Sequence, residues 1–133
     1  LIKPRSERVL VVEDNQVNQR LAMRQLLRLG FAAEAVANGR EAVEAQGREN
    51  YDLIFMDVQM PVMDGFEAAA EIRRHEIRSR RHVPIVAMTA NALNEDRDAC
   101  LAAGMDDYVS KPVSLAGLRL VIDHWLPQKE ALA

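Results

Sequence analysis

Residues 53–65 read Leu-Ile-Phe-Met-Asp-Val-Gln-Met-Pro-Val-Met-Asp-Gly, a short apolar run that ends on an aspartate and gives way to a proline-containing turn. The run Leu53 to Met56 has no polar alternation, the mark of a strand buried on both faces, and such strands belong to parallel sheets covered by helices. From Gly65 to Arg74 the pattern lengthens to that of an amphipathic helix. The same alternation recurs on either side. Val9 to Val12, Ala32 to Val36, Pro84 to Met88 and a brief run at Tyr108 to Val109 read as further strands. Between the first two, Leu21, Ala22, Leu26 and Leu29 share one side of a helical wheel, with Gly30 as a stop. Asn38 to Glu49, Asn94 to Ala103 and Ser114 to Leu126 read as helices too, with Gly104 as a second stop. In the last of them Leu115, Leu118, Ile122 and Trp125 recur at helical spacing, so Trp125 reads as a core anchor. Five strands alternating with five helices predict an α/β fold with a parallel sheet.

The chain has 133 residues, 49% of them hydrophobic and 28% charged, which suffices for one self-supporting core and excludes intrinsic disorder. Seventeen basic against 20 acidic side chains leave a net charge of -3, which gives no broad electrostatic attraction to nucleic acid or to an anionic membrane. Cys100 is the single cysteine, which excludes an internal disulfide, and no apolar stretch of about 18 residues exists to span a bilayer. The first residues do not resemble a signal peptide and include no initiating methionine, so the chain reads as a piece of a longer protein. Residues 1–7 are expected to be a linker remnant, 8–126 the domain and 127–133 a C-terminal tail. The expected location is the cytoplasm, with membrane anchorage left open for the parent protein.

In parallel α/β sheets, ligands bind beyond the carboxyl ends of the strands. Four strand ends here carry unusual chemistry: Glu13-Asp14, Asp57, Thr89 and Lys111 followed by Pro112. Each gap between them exceeds the roughly dozen residues that a crossover needs, so all can meet at one rim. Three carboxylates brought together repel one another, and a cation must compensate them. Oxygen-only ligands with no nearby histidine or cysteine favour a hard ion, Mg²⁺ first and Mn²⁺ as a substitute. An ionised aspartate beside such an ion can attack phosphorus, which assigns Asp57 as nucleophile, Lys111 as charge clamp and Thr89 as a hydroxyl donor to a phosphoryl oxygen.

The stretches Val-Val-Glu-Asp-Asn at 11–15, Phe-Met-Asp-Val-Gln-Met-Pro-Val-Met-Asp-Gly at 55–65, Ala-Met-Thr-Ala-Asn-Ala at 87–92 and Asp-Asp-Tyr-Val-Ser-Lys-Pro at 106–112 carry a resemblance. The chain resembles the receiver (response-regulator) domain of two-component phosphorelays over nearly all of Arg8 to Leu126. The wording is most like receivers of hybrid sensor histidine kinases. The resemblance implies a flavodoxin-like (βα)5 three-layer sandwich with strand order 2-1-3-4-5 and a cis peptide between Lys111 and Pro112. It implies that Asp57 accepts a phosphoryl group from a phosphohistidine on a histidine kinase or phosphotransfer domain. Asp14 and Asp57 would bind Mg²⁺ directly, the backbone carbonyl of Gln59 would complete the protein ligands, and Glu13 would act through a water. Glu13 stands where many members carry aspartate, and its longer side chain still reaches a metal-bound water.

The resemblance further implies a switch in which Thr89 moves toward the phosphoryl group and Tyr108 turns inward. The fourth helix, fifth strand and fifth helix would then present a changed surface, on which a weak homodimer would also form. Gln59 and Asn91, two positions beyond Asp57 and Thr89, are expected to tune phosphate lifetime. Partner docking on the first helix and the loop after the fifth strand, transposed here, names Asn15, Asn18, Pro112 and Val113. The isolated module would then catalyse only its own phosphorylation and dephosphorylation.

Other features have plainer readings. Five arginines between Arg73 and His82 read as a solvated helix end followed by a loop. His75, His82 and His124 show no metal spacing with Cys100, and Met56, Met60 and Met63 read as packing. Met23 and Leu27 lie opposite the apolar stripe of their helix and are expected to be exposed. The main rival is a haloacid-dehalogenase-like, Mg²⁺-dependent phosphatase with an aspartyl nucleophile. That chemistry expects an acid-base aspartate two residues after the nucleophile, where Gln59 stands, and a cap insertion for which there is little room. A nucleotide or flavin binder would need a glycine-rich loop after the first strand, yet the first glycine is Gly30. A purely structural receiver is disfavoured because Glu13, Asp14, Asp57, Thr89 and Lys111 are all present.

Overall fold

A computed structural model describes residues 5–60, 62–90 and 94–127. Five strands and five helices alternate: β1 (Val9–Val12), α1 (Gln16–Arg28), β2 (Glu34–Val36), α2 (Gly39–Arg48), β3 (Leu53–Asp57), α3 (Gly65–Ser79), β4 (Ile85–Thr89), α4 (Asn94–Ala102), β5 (Asp107–Ser110) and α5 (Leu115–Trp125). The sheet is parallel throughout, in the order β2-β1-β3-β4-β5. β1, β3 and β4 are buried at every position, as central strands covered on both faces must be.

Side chains alternate across the sheet and feed two cores. Leu10, Val12, Ile54, Met56, Ile85 and Ala87 point to one side and meet Ala42 and Ala45 of α2, Ala68, Ala69 and Ile72 of α3, and Cys100 of α4. Val9, Val11, Leu53, Phe55, Val86 and Met88 point to the other and meet Ala22 and Leu26 of α1 with Leu118, Val121 and Ile122 of α5. Helices α1, α2, α3 and α5 start where a short polar side chain caps the first turn. Asn15, Asn38, Asp64 and Ser114 each accept the backbone N–H three residues on, satisfying a donor that the helix itself leaves orphaned.

Several boundaries differ from the sequence reading. β3 and β4 each extend one residue further, so Asp57 and Thr89 belong to the ladder itself. β2 begins at Glu34 rather than Ala32. α3 continues past Arg74 to Ser79 and ends at Arg80 in the left-handed conformation, φ 58°. The reason is Arg73, which is not solvated. Its guanidinium donates to the carbonyls of Gly104 (2.8 Å) and Val83 (2.8 Å) and pairs with Glu76 (2.7 Å) and Asp106 (2.6 Å). These bonds tie α3 to the start of β4 and the approach to β5, and carry the helix through the arginine-rich stretch. Arg74, Arg78, Arg80 and Arg81 are exposed as expected.

On α1, Leu21 is 40% exposed rather than part of the buried stripe. Met23 packs partly against the core, while Leu27 is exposed. Trp125 packs against the second core and its indole N–H donates to Asp107 (2.9 Å). Met56 is buried, with Met60 and Met63 packed beside it. His82 meets Asp106 at 2.6 Å and His124 stacks edge-on against Trp125. Arg5, read above as linker, pairs in parallel with Phe31, so the folded unit reaches back at least to Arg5. The tail from residue 128 lies outside the described residues.

Gly65 is the tightest point behind the strand ends. A Cβ there would overlap the carbonyl oxygen of Asp57 and approach the Val58 Cα at 2.9 Å. Because the obstacle is backbone, it cannot swing aside. Gly65→Ala is expected to cost about 2–3 kcal/mol, read as a lowered urea midpoint with an unchanged slope.

Candidate functional site

β3 delivers Asp57 to the carboxyl rim of the sheet, where Val58 N–H bonds to the Met88 carbonyl of the neighbouring strand (3.3 Å). The chain then turns so that Gln59 N–H donates to Asp57 Oδ1 (3.1 Å), which fixes the carboxylate's orientation. On the other side, β1 continues into Glu13, whose N–H bonds to the Val36 carbonyl (3.1 Å) and whose Oε1 accepts from Asn15 N–H (3.1 Å). Gln19 of α1 reaches back and donates its amide to the Glu13 and Val36 carbonyls (3.1 and 3.2 Å). The loop bearing the acidic pair is thereby held against two strand ends.

The carboxylates of Glu13, Asp14 and Asp57 offer oxygens that all lie within 4.8 Å of one another. Glu13 and Asp57 are buried and Asp14 is exposed. Lys111 follows β5, with its N–H on the Thr89 carbonyl (2.8 Å). Its ammonium lies 2.8 Å from Asp57 Oδ2 and 3.0 Å from Glu13 Oε2. The Lys111–Pro112 peptide is cis. Burial pushes the Glu13 carboxyl above its ordinary range, although the hydrogen bond from Lys111 opposes this. Burial alone would lower the Lys111 ammonium, but its bonds to Asp57 and Glu13 outweigh that and hold it above the usual lysine value. The lysine is thus held charged against the two carboxylates.

Thr89 closes β4 opposite Ser110, one residue beyond the position that pairs with Asp57, and is buried. Tyr108 is half-buried on β5 and packs against the α3–α4 side of the core. Of the residues expected to meet a partner, Asn18, Pro112 and Val113 line one cleft together with Glu13, Leu21 and Lys111. Asn15 also serves as the cap of α1. Asn91 lies outside the described residues. That cleft encloses about 20 Å³, far below the roughly 300 Å³ that even a small ligand pocket needs. Gln19 and Gly65 were not singled out from the sequence. Gly65 lay within the quoted turn, whereas nothing local marks Gln19.

The oxygen donors present fit a hard divalent cation: three carboxylates, one of them exposed, and, among the described residues, no nitrogen or sulfur ligand in the cluster. Among the described residues no helix is long and apolar enough to cross a membrane.

Comparison with known proteins places this rim in context. A hybrid signal transduction histidine kinase G from Dictyostelium discoideum is 46% identical over 122 residues, covering 90% of this chain and 4% of that protein. The sensor protein GacS of Pseudomonas syringae pv. syringae is 42% identical, covering 93% of this chain and 14% of that one. The chain therefore spans a small part of these curated relatives. Among solved structures, the receiver domain of sensor histidine kinase PA1611 from Pseudomonas aeruginosa PAO1, crystallised with a magnesium ion in its active-site cleft, is 44% identical. It matches with a TM-score of 0.83, covering 93% of this chain and all of that one. A chain from the Saccharomyces cerevisiae complex between the histidine phosphotransfer protein Ypd1 and the receiver domain of its response regulator Ssk1 is 38% identical. Its TM-score is 0.82, with 90% of this chain and 88% of that one covered. The model of the response regulator receiver domain matches residues 9–123, and the chain belongs to that family: it is a receiver domain of two-component phosphorelays, close to the receivers of hybrid histidine kinases.

Proposed function

We propose that Asp57 is the phosphoacceptor of this receiver. The observation that carries the reading is the Lys111 ammonium 2.8 Å from Asp57 Oδ2, at a rim where Glu13 and Asp14 complete an acidic cluster. An Asp57 oxygen attacks the phosphorus of a phosphohistidine, the P–N bond breaks, and the imidazole leaves with that electron pair. Lys111 is placed to neutralise a phosphoryl oxygen as charge develops, and the Thr89 hydroxyl would donate to another. Glu13 through a water, Asp14 and Asp57 directly, and the Gln59 carbonyl would hold Mg²⁺, with Mn²⁺ as a substitute. Bound there, the ion offsets the charge of the carboxylates and of the incoming phosphoryl oxygens.

The donor would be a histidine kinase or a histidine phosphotransfer domain, seated over Asn15, Asn18, Pro112 and Val113. The yeast complex supports this choice of partner, because it joins a receiver to a phosphotransfer protein. Phosphorylation would shift Thr89 and Tyr108 and alter the face formed by α4, β5 and α5, to the extent that the phosphoryl group bonds better in the altered arrangement. That face exposes Leu120, which suits contact with an output partner or a second copy. The isolated module would act only on its own phosphorylation, in the cytoplasm, as one part of a longer hybrid kinase.

With acetyl phosphate and Mg²⁺, intact-mass spectrometry is expected to show one added phosphoryl group on the parent chain and none on Asp57→Asn; an equally modified variant contradicts the assignment. Replacing Gln59 or Asn91 by alanine is expected to change the decay rate of the acyl phosphate at least a few-fold, and unchanged decay in both removes their role in its lifetime. Asn18→Arg with Val113→Arg is expected to slow transfer from a phosphohistidine donor by about tenfold or more, while phosphorylation by acetyl phosphate is spared. Equal loss with both donors contradicts the docking surface.

A further inference from the structure

The segment before β1 is bound to the domain through an unusually well-satisfied arginine. Arg5 N–H donates to the Gly30 carbonyl (2.8 Å), and its backbone pairs in parallel with Phe31. Its guanidinium sits 4.8 Å from the centre of the buried Phe31 ring and is held by the Glu7 carboxylate (2.6 and 3.2 Å). The remaining contact reaches across the chain: Nη2 donates to the carbonyl of Leu126 at 2.7 Å. Leu126 is the C-cap of α5, and a carbonyl there is one of the acceptors that a helix end leaves without a partner. The Arg5 side chain is only 14% exposed, so this is no loose surface pair.

The end of α5 is joined in turn to the carboxylate rim. Trp125 donates its indole N–H to Asp107 Oδ2 (2.9 Å), and Asp107 Oδ1 accepts the N–H of Tyr108. Asp107 opens β5. β5 runs directly into Lys111, whose backbone bonds to Thr89 and whose ammonium holds Asp57 and Glu13. A continuous series of hydrogen bonds and one short strand therefore connects Arg5 to the charge clamp at the opposite end of the sheet. Each link is a specific bond with a measurable amide or indole reporter.

We propose that the segment at Arg5 is an intramolecular strap. When docked, it caps α5, seats Trp125 on Asp107 and holds β5 and Lys111 in place. When drawn away by whatever precedes it in a longer chain, it loosens the last turn of α5 and, through β5, the lysine end of the rim. The input to this device is the position of the chain N-terminal to the domain, and it needs no added ligand. It stands apart from the identity of the phosphoacceptor.

The test is native-state amide exchange by NMR, together with emission from Trp125, the sole tryptophan. The parent domain is compared with Arg5→Ala, Arg5→Lys and a control, Arg78→Ala, which alters an exposed guanidinium on α3. In Arg5→Ala, exchange at the Leu126 amide, which bonds to the Ile122 carbonyl at 2.7 Å, is expected to rise about tenfold. Exchange at the Lys111 amide is expected to rise about threefold, with Leu10 and Ile54 changed by less than about twofold. Trp125 emission should move to the red. Arg5→Lys should fall between, because an ammonium can reach Leu126 but cannot also grip Glu7 through a planar fork.

Three results overturn the proposal. One is exchange and emission in Arg5→Ala equal to those of the Arg78→Ala control. Another is a uniform rise at every amide, which is general destabilisation. The third is a rise at Leu126 with Lys111 unmoved, which reduces Arg5 to a helix cap.

Discussion

Two carboxylates buried at strand ends cannot stay ionised in a protein interior without a cation against them, and in this domain Lys111 is that cation. Glu13 and Asp57 are each 2% exposed, and one ammonium lies within 3.0 Å of both. Removing the lysine leaves both carboxylates as uncompensated buried charge, which costs about 3–5 kcal/mol. The demand reaches into the fold. Lys111 must emerge beside Thr89, β4 must separate β5 from β3, and β1 must lie on the far side of Asp57. The strand order β2-β1-β3-β4-β5 meets all three conditions.

The same arrangement explains why the rim suits transient chemistry. A lysine that balances two carboxylates at rest can exchange some of that bonding for phosphoryl oxygens without travelling far. A divalent cation would compensate the carboxylates that the lysine partly releases. The backbone around the rim is also fixed by bonds that do not involve the acceptor carboxylate: Gln19 on the Glu13 and Val36 carbonyls, and Lys111 N–H on the Thr89 carbonyl. Asp14 at this rim is exposed, so the cluster is open to solvent on that side.

Much of this was legible in the residues because it depends on strong, local signals. Unbroken apolar runs such as Leu53 to Met56 have no way to be satisfied except between two layers of helices. Aspartate, glutamate, threonine and lysine at the ends of those runs have few structural reasons to sit there together. What escaped was set by partners distant in sequence. Arg73 looks like part of a solvated arginine cluster until Asp106 and the Gly104 carbonyl are brought to it. Arg5 looks like linker until Phe31 and the end of α5 lie beside it. Gln19 is one polar residue on a helix, and only the two strand-end carbonyls within its reach give it a role. Leu21 was assigned to the buried stripe by periodicity alone, yet it borders the open cleft at Asn18 and Val113 rather than the core.

The central claim is that one cation-compensated rim receives the phosphoryl group, and a crystal structure with Mg²⁺ and beryllofluoride tests it most directly. The account predicts the beryllium bonded to a carboxylate oxygen of Asp57, the metal among Asp14, Asp57 and the Gln59 carbonyl, and fluorines in contact with the Lys111 ammonium and the Thr89 hydroxyl. An adduct on another side chain, or a metal bound away from Asp14 and Asp57, would contradict it.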